Sequence, residues 1–182
     1  MITNVLEYLE KSAVNYPDKT AFADLDSSCT FQELCRTGRK AGTALAAHFT
    51  PRNPVPVFME KSVETIGVFM GAVYAGCFYV LLDTKQPAAR LRQILDILDS
   101  DTLVTSGKYE KDLEKLEFKG KVLMAEELTD CQEDAILLNK IRSEAVDTDP
   151  LYGIFTSGST GVPKGVVVGH RSVIDFIDCF TE

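Results

Sequence analysis

Histidine is scarce in this chain: among 182 residues only His48 and His170 carry an imidazole. With acids scattered rather than spaced as ligands, that excludes a recognisable metal-binding pattern. The five cysteines, Cys29, Cys35, Cys77, Cys131 and Cys179, are odd in number, widely separated and without a CxxC pair. Neither a disulfide framework nor a zinc ribbon fits, and reduced thiols in a cytosol are expected. A basic excess is missing too, because 19 Lys and Arg stand against 27 Asp and Glu for a net charge of −8. No basic stripe exists to displace counterions from a nucleic-acid backbone, so extended nucleic-acid binding is excluded. Nor is there a membrane-length apolar run. Residues 66–82 are uncharged and contain a Gly67-x-x-x-Gly71 spacing, but a span wants about 20 apolar residues, and Gly76 splits this one. An apolar helix ending near Tyr74-Ala75-Gly76, followed by a buried strand at residues 77–82, explains the run without lipid. The start, Met1-Ile2-Thr3-Asn4, lacks the basic region and long apolar core of a signal peptide, so a cytoplasmic location is expected.

What is present is an ordinary globular composition, 45% hydrophobic, 25% charged and 9% aromatic, in a length that allows one compact unit. Helix and strand signals alternate. An amphipathic stretch at residues 5–13 stops at Pro17, and short strands are expected at residues 21–24 and 29–31. Thr30-Phe31-Gln32-Glu33 has capping-box spacing and predicts a helix running toward His48. Residues 55–59 read as a strand, Ser62 as a helix cap and Pro87 as a first helical residue. Strands at residues 102–105 and 121–124 flank a charged helix near residues 109–116. This alternation predicts an α/β fold with mixed or parallel sheets and flanking helices.

Charge divides the chain further. Residues 125–149 hold eight acids and two bases, whereas residues 150–171 hold Lys164 and Arg171 and no carboxylate. The expected organisation is therefore an α/β region at residues 1–124, an acidic connection at 125–149 with a short helix at 135–141, and a loop hairpin with the start of a helix at 150–182.

That last segment carries the chemistry. Between two apolar strands lies Thr156-Ser157-Gly158-Ser159-Thr160-Gly161-Val162-Pro163-Lys164-Gly165. Small hydroxyl residues and glycines let backbone amides approach phosphate oxygens closely, and Lys164 adds a point charge. It is not a Walker A loop, which needs G-x-x-x-x-G-K-[ST], and it lacks the G-x-G-x-x-G spacing of a dinucleotide fingerprint. A β-branched strand, rather than a helix, follows it.

The run from Tyr152 to His170 resembles the phosphate-binding motif of the adenylate-forming superfamily, T-S-G-S-T-G-x-P-K-G, without a gap. That superfamily includes acyl-CoA synthetases, luciferases, amino-acid-activating domains of nonribosomal peptide synthetases and D-alanine–carrier protein ligases. Thr30-Phe31-Gln32-Glu33-Leu34 is similar to its T-Y-x-E-L. The run from Tyr74 to Asp83 is similar to K-A-G-x-A-Y-V-P-L-D, with Tyr74 in place of Lys and Leu81 in place of Pro. This second stretch points to the amino-acid-activating branch, with an acyl-CoA synthetase, another AMP-forming ligase or a non-catalytic binding domain as alternatives.

The resemblance implies an N-terminal part of the large subdomain of an ATP- and Mg2+-dependent ligase. Such an enzyme joins a small carboxylate, here expected to be an amino acid, to AMP and passes the acyl group to a phosphopantetheinyl carrier thiol. Thr156, Ser157, Gly158, Ser159, Thr160, Gly161 and Lys164 are the residues it assigns to the triphosphate, Lys164 neutralising β- or γ-phosphate charge. The family's magnesium ligand, adenine and ribose contacts and C-terminal catalytic lysine follow the stretch matched here, so the 182 residues alone are expected not to adenylate. Residues 156–161 are expected to be among the most mobile backbone without ligand. Two weaker candidates complete the set: Cys35 with His48 as nucleophile and base, outweighed by a packed thiol and a surface imidazole, and His170, either orienting substrate or simply opening a helix.

Overall fold

The computed structural model describes residues 2–156 and 162–181, the last of these in its backbone only. Helix α1 (Leu6–Asn15) buries Leu6 and Leu9 and leads into an antiparallel ribbon of β1 (Thr20–Ala23) and β2 (Ser28–Thr30). Helix α2 (Phe31–Ala46) starts on the expected capping box. The Thr30 hydroxyl accepts the Glu33 amide at 3.2 Å, and the Glu33 carboxylate accepts the Thr30 amide at 2.8 Å, satisfying two free helix-end donors at once. The helix ends two residues before His48.

Strands β3 (Pro54–Phe58), β4 (Phe78–Leu82), β5 (Thr102–Thr105), β6 (Lys121–Met124), β7 (Pro150–Thr156) and β8 (Lys164–Gly169) form one sheet in the order β6-β5-β3-β4-β7-β8. All neighbours are parallel except the β7–β8 pair, so the expected mixed α/β sheet is what forms. Its central strands are apolar on both faces, as Val55, Val57, Val80, Leu103 and Val104 show, each essentially unexposed. Burial on both faces is what helices on either side demand.

Those helices are α3 (Val63–Tyr74), α4 (Ala88–Leu98), α5 (Glu110–Leu116), α6 (Ala125–Asp130), α7 (Ala135–Ser143) and α8 (His170–Thr181). The chain steps one way from β3 to β4 and back across β3 to β5, so right-handed crossovers put α3 and α4 on opposite faces. Contacts agree: α1, α2, α3, α6 and α7 pack together in one layer, and α4 packs on α5. Loops leaving β3 and β4 thus diverge at the carboxyl ends of the strands, where open α/β sheets form their ligand crevice. The end of β7 lies beside the end of β4 on that same edge.

The acidic stretch at residues 125–149 is more structured than a connection. It carries α6 and α7, which bury Ala125, Leu128 and Leu138 while most of their acids stay exposed. Three apolar footholds were enough to dock it, and they are diluted in sequence by the carboxylates. The apolar run at residues 66–82 resolves as α3, a turn with Gly76 at φ 72°, and β4. Its Gly67-x-x-x-Gly71 spacing serves packing against α2: a Cβ on Gly71 would lie 2.6 Å from the Cβ of Ala41. Among the described residues, no helix is long and apolar enough to cross a membrane.

Candidate functional site

Of the seven residues expected at a triphosphate, Thr156 and Lys164 are described, and they close the mouth of the β7–β8 hairpin as direct cross-strand partners. Ser157, Gly158, Ser159, Thr160 and Gly161 lie outside the described residues, as does most of the stretch expected to be mobile. Side-chain alternation fixes which way the mouth faces. Tyr79 on β4 stacks on Phe69 of α3 with ring centroids 4.0 Å apart, and Tyr152 stacks on Tyr79 at 5.8 Å. Tyr152 is therefore on the α3 face, and Ile154, Thr156 and their partners Val166 and Lys164 follow it there. Thr156 and Lys164 are both exposed, and none of the ion pairs among the described residues involves Lys164. A cation with no carboxylate to answer it, on the carboxyl edge of a parallel sheet, suits an anionic ligand.

The opposite face of the hairpin is a packing seat. Phe155 lies across Gly165, where an added Cβ would sit 3.1 Å from the ring, and a Cβ on Gly153 would meet Val80 at 3.0 Å. Pro163 is buried just before Lys164. Apolar contacts thus hold the base of the loop from one side and leave the polar pair free on the other. Beyond the hairpin, Glu60 after β3 and Lys85 after β4 pair at 3.3 Å across the diverging loops. That pair engages Lys85 with Glu60, whereas Lys164, like Lys61 after β3, is in no ion pair among the described residues.

The weaker candidates take other roles. Cys35 Sγ lies 3.3 Å from the Tyr74 hydroxyl, which also donates to Glu10 at 3.1 Å. Burial pushes both the Cys35 thiol and the Tyr74 phenol above their ordinary ranges, the reverse of what a nucleophile needs. Tyr74, the departure from the family's lysine, is thus a buried partner of Cys35 and Glu10, with the Arg39 guanidinium 5.6 Å over its ring. His48 faces Lys121 Nζ at 3.2 Å rather than Cys35. His170 is 3% exposed and opens α8 at the far end of β8 from Lys164, so the helix-entry reading holds. Sequence reasoning missed how His170 is held: its backbone amide donates to the Asp149 carbonyl at 3.1 Å, and Asp149 is paired with Arg52 at 2.7 Å. Partners 97 residues apart leave no local signal. Among the described residues no group of three or more His, Cys, Asp or Glu is placed to hold a metal ion.

One mostly parallel sheet with helices on both faces, and a hydroxyl- and glycine-rich sequence joining β7 to β8 at its carboxyl edge, defines an open-sheet α/β protein. Within it, the chain belongs to the AMP-binding enzyme family, whose model matches residues 9–181. It is similar to a mycosubtilin synthase polypeptide of Bacillus subtilis, 36% identical over 170 residues that make up 93% of this chain and 6% of that protein. It is also similar to the D-alanine–D-alanyl carrier protein ligase of Staphylococcus aureus, 29% identical over 181 residues, 100% of this chain and 35% of that one. The chain thus spans about a third of that ligase and far less of the synthase. Among solved structures, the nonribosomal peptide synthetase FmoA3 with α-methyl-L-serine-AMP bound superposes with a TM-score of 0.81 at 26% identity, over 96% of this chain and 19% of that one.

Proposed function

We propose that these residues are the phosphate-gripping part of an AMP-forming ligase that activates a small carboxylate, an amino acid, and hands it to a carrier-protein thiol. The observation that carries this is the exposed Thr156–Lys164 pair at the base of an ungapped T-S-G-S-T-G-x-P-K-G loop. In the proposed reaction a carboxylate oxygen attacks the α-phosphorus of ATP, a Pα–O bond forms, the bond from Pα to the bridging oxygen breaks, and pyrophosphate leaves with that electron pair. Negative charge then builds on the departing pyrophosphate. Lys164 Nζ answers it electrostatically from the mouth of the hairpin, and the loop amides are the further donors that this reading assigns to the phosphates. Thr156 offers a hydroxyl at the same mouth. Mg2+ belongs to this reading as a cofactor, but the described residues form no cage for it, and no step is derived through it.

The amino-acid choice and the carrier acceptor rest on the named relatives, a peptide synthase and D-alanyl carrier ligases. The 182 residues by themselves are proposed to be inactive, since they match only 35% of the D-alanyl carrier protein ligase. The test is ATP–pyrophosphate exchange by the complete gene product that carries these residues, assayed over amino acids and fatty acids. Amino-acid-dependent exchange is expected, with Lys164→Ala lowering kcat/KM for ATP by about 10²-fold. Unchanged exchange in Lys164→Ala would sink the phosphate role, and fatty-acid-dependent exchange would move the enzyme to the acyl-CoA branch.

A further inference from the structure

The foot of β8 is where four distant stretches of chain meet. His170 Nδ1 accepts the backbone amide of Val5, just ahead of α1, at 3.2 Å. The Asp149 carboxylate, besides holding Arg52, accepts the Val146 amide at 3.0 Å. Arg171 donates its backbone amide to the Asp147 carbonyl at 2.7 Å and its guanidinium to the Asp147 carboxylate at 2.8 Å. From the other side, Glu7 accepts the Thr3 and Asn4 amides and pairs with Arg142 at 3.3 Å, while the Tyr8 hydroxyl donates to Asp178 at 2.9 Å. Helix α1 is thereby fastened to α8 at two places, His170 and Asp178.

Strand β8 has an uncommon need for such an anchor. Its residues 164–167 are exposed, and Val166-Val167-Val168 is apolar on both faces. A strand with no polar face does not fix its own register through burial. The β7–β8 register itself shifts between Pro150 and Tyr152, next to the foot, so the alignment there depends on which residue is left out of the ladder. A slip of one residue would carry Lys164 from the Thr156 face to the Phe155 face.

We propose that α1 and His170 form a clasp that sets the register of β8, making His170 a positioning residue for nucleotide binding through Lys164. This rests on the reading of Lys164 as a phosphate ligand. The clasp requires an unprotonated Nδ1, and the site keeps it so: burial first, then the positive charge of Arg142, push the imidazole down to about 4, with Asp149 opposing. Arg52 and Arg171 are already engaged by Asp149 and Asp147.

The test compares three variants in the complete gene product. His170→Ala removes the acceptor. His170→Asn places an amide oxygen near the position of Nδ1. Val5→Pro removes the donor at a residue whose φ of −62° already suits proline,. Alanine and proline are expected to raise KM for ATP about tenfold with kcat within about threefold, and asparagine to restore KM to within about threefold. A merely stabilising histidine would instead cost active enzyme, lowering apparent kcat and leaving KM alone. Amide hydrogen exchange on the 182-residue chain gives a readout without activity: β8 amides should exchange faster in the alanine and proline variants and not in the asparagine variant. Unchanged KM in Val5→Pro and His170→Ala, or unchanged β8 exchange, overturns the clasp. If Lys164→Ala also leaves KM for ATP unchanged, the proposed function fails instead; if Lys164→Ala raises it and the clasp variants do not, only this inference fails.

Discussion

Two single residues are pulled furthest below their ordinary values and weigh most in how the fold answers acid. The Asp24 carboxylate, in the turn of the β1–β2 ribbon, accepts the Asp26 and Ser27 amides and also the Val63 amide at the start of α3, at 2.8 Å. It caps a helix 39 residues away and ties the ribbon to the main sheet. These backbone hydrogen bonds, Val63's first, hold it at about 2 against an ordinary 3.8, so its contribution is present above pH 3.8 and is lost as pH falls toward 2. His170 works in a higher window. Its folded value of about 4 lies below the ordinary 6.5, so the unfolded chain takes up the proton first, and stability falls from pH 6.5 down to about 4, by up to about 3 kcal/mol. Urea midpoints measured from pH 8 to pH 3 should therefore be flat above 6.5 and decline below it. His170→Asn should flatten the stretch between 6.5 and 4, whereas Asp24→Asn should leave that stretch alone and lower stability at neutral pH. A wild-type-like decline in His170→Asn would show that another group titrates.

At the scale of elements, the crossing of α2 and α3 controls how the α3-side layer sits on the sheet. Glycines on both helices permit it: a Cβ on Gly42 would lie 2.5 Å from the Tyr74 Cβ, and one on Gly38 2.9 Å from the Met70 Cβ. Alanine at Gly42 or Gly71 gains about 1 kcal/mol of helix propensity. The overlap sits on Cβ atoms near the backbone that cannot swing aside, and overpacking of this kind costs about 1–3 kcal/mol or more. Both variants should thus lose up to about 2 kcal/mol net and lower Tm by up to roughly 8 °C, while Gly107→Ala, whose Cβ would meet only Glu126 at 3.7 Å, should not. Equal melts for all three would mean the helices separate freely. The same elements show what was legible. Capping box, strand ends and the two strands of the hairpin could be read because each is written in neighbouring residues. The docking of α6 and α7 could not, since three buried apolar residues are lost among eight acids, and the His170 junction could not, since its hydrogen bond spans 165 residues.

At the scale of the whole molecule, one border of the sheet is open. Strand β8 is the edge of the six-stranded sheet, and Ile154, Val162, Val166 and Val167 of the hairpin are each more than half exposed, as are Phe176 and Phe180 on α8. Edge strands are ordinarily blunted by charge, proline or a bulge; here Lys164 and the buried Pro163 guard one end only. In an antiparallel approach of two such edges Lys164 would face Gly169 of the other copy, so the two lysines stand at opposite ends and do not repel. The net charge of −8 works against association, yet residues 150–171 contribute no carboxylate to that repulsion. The 182-residue chain should therefore show a weight-average mass, measured by light scattering, that rises with concentration and with added salt, which screens the global charge within about 10 Å. Val167→Lys, placing a charge in mid-edge, should suppress it without lowering Tm, because the side chain it replaces is 56% exposed. A weight-average mass that is independent of concentration and unaffected by Val167→Lys would show that the edge is guarded by something other than charge.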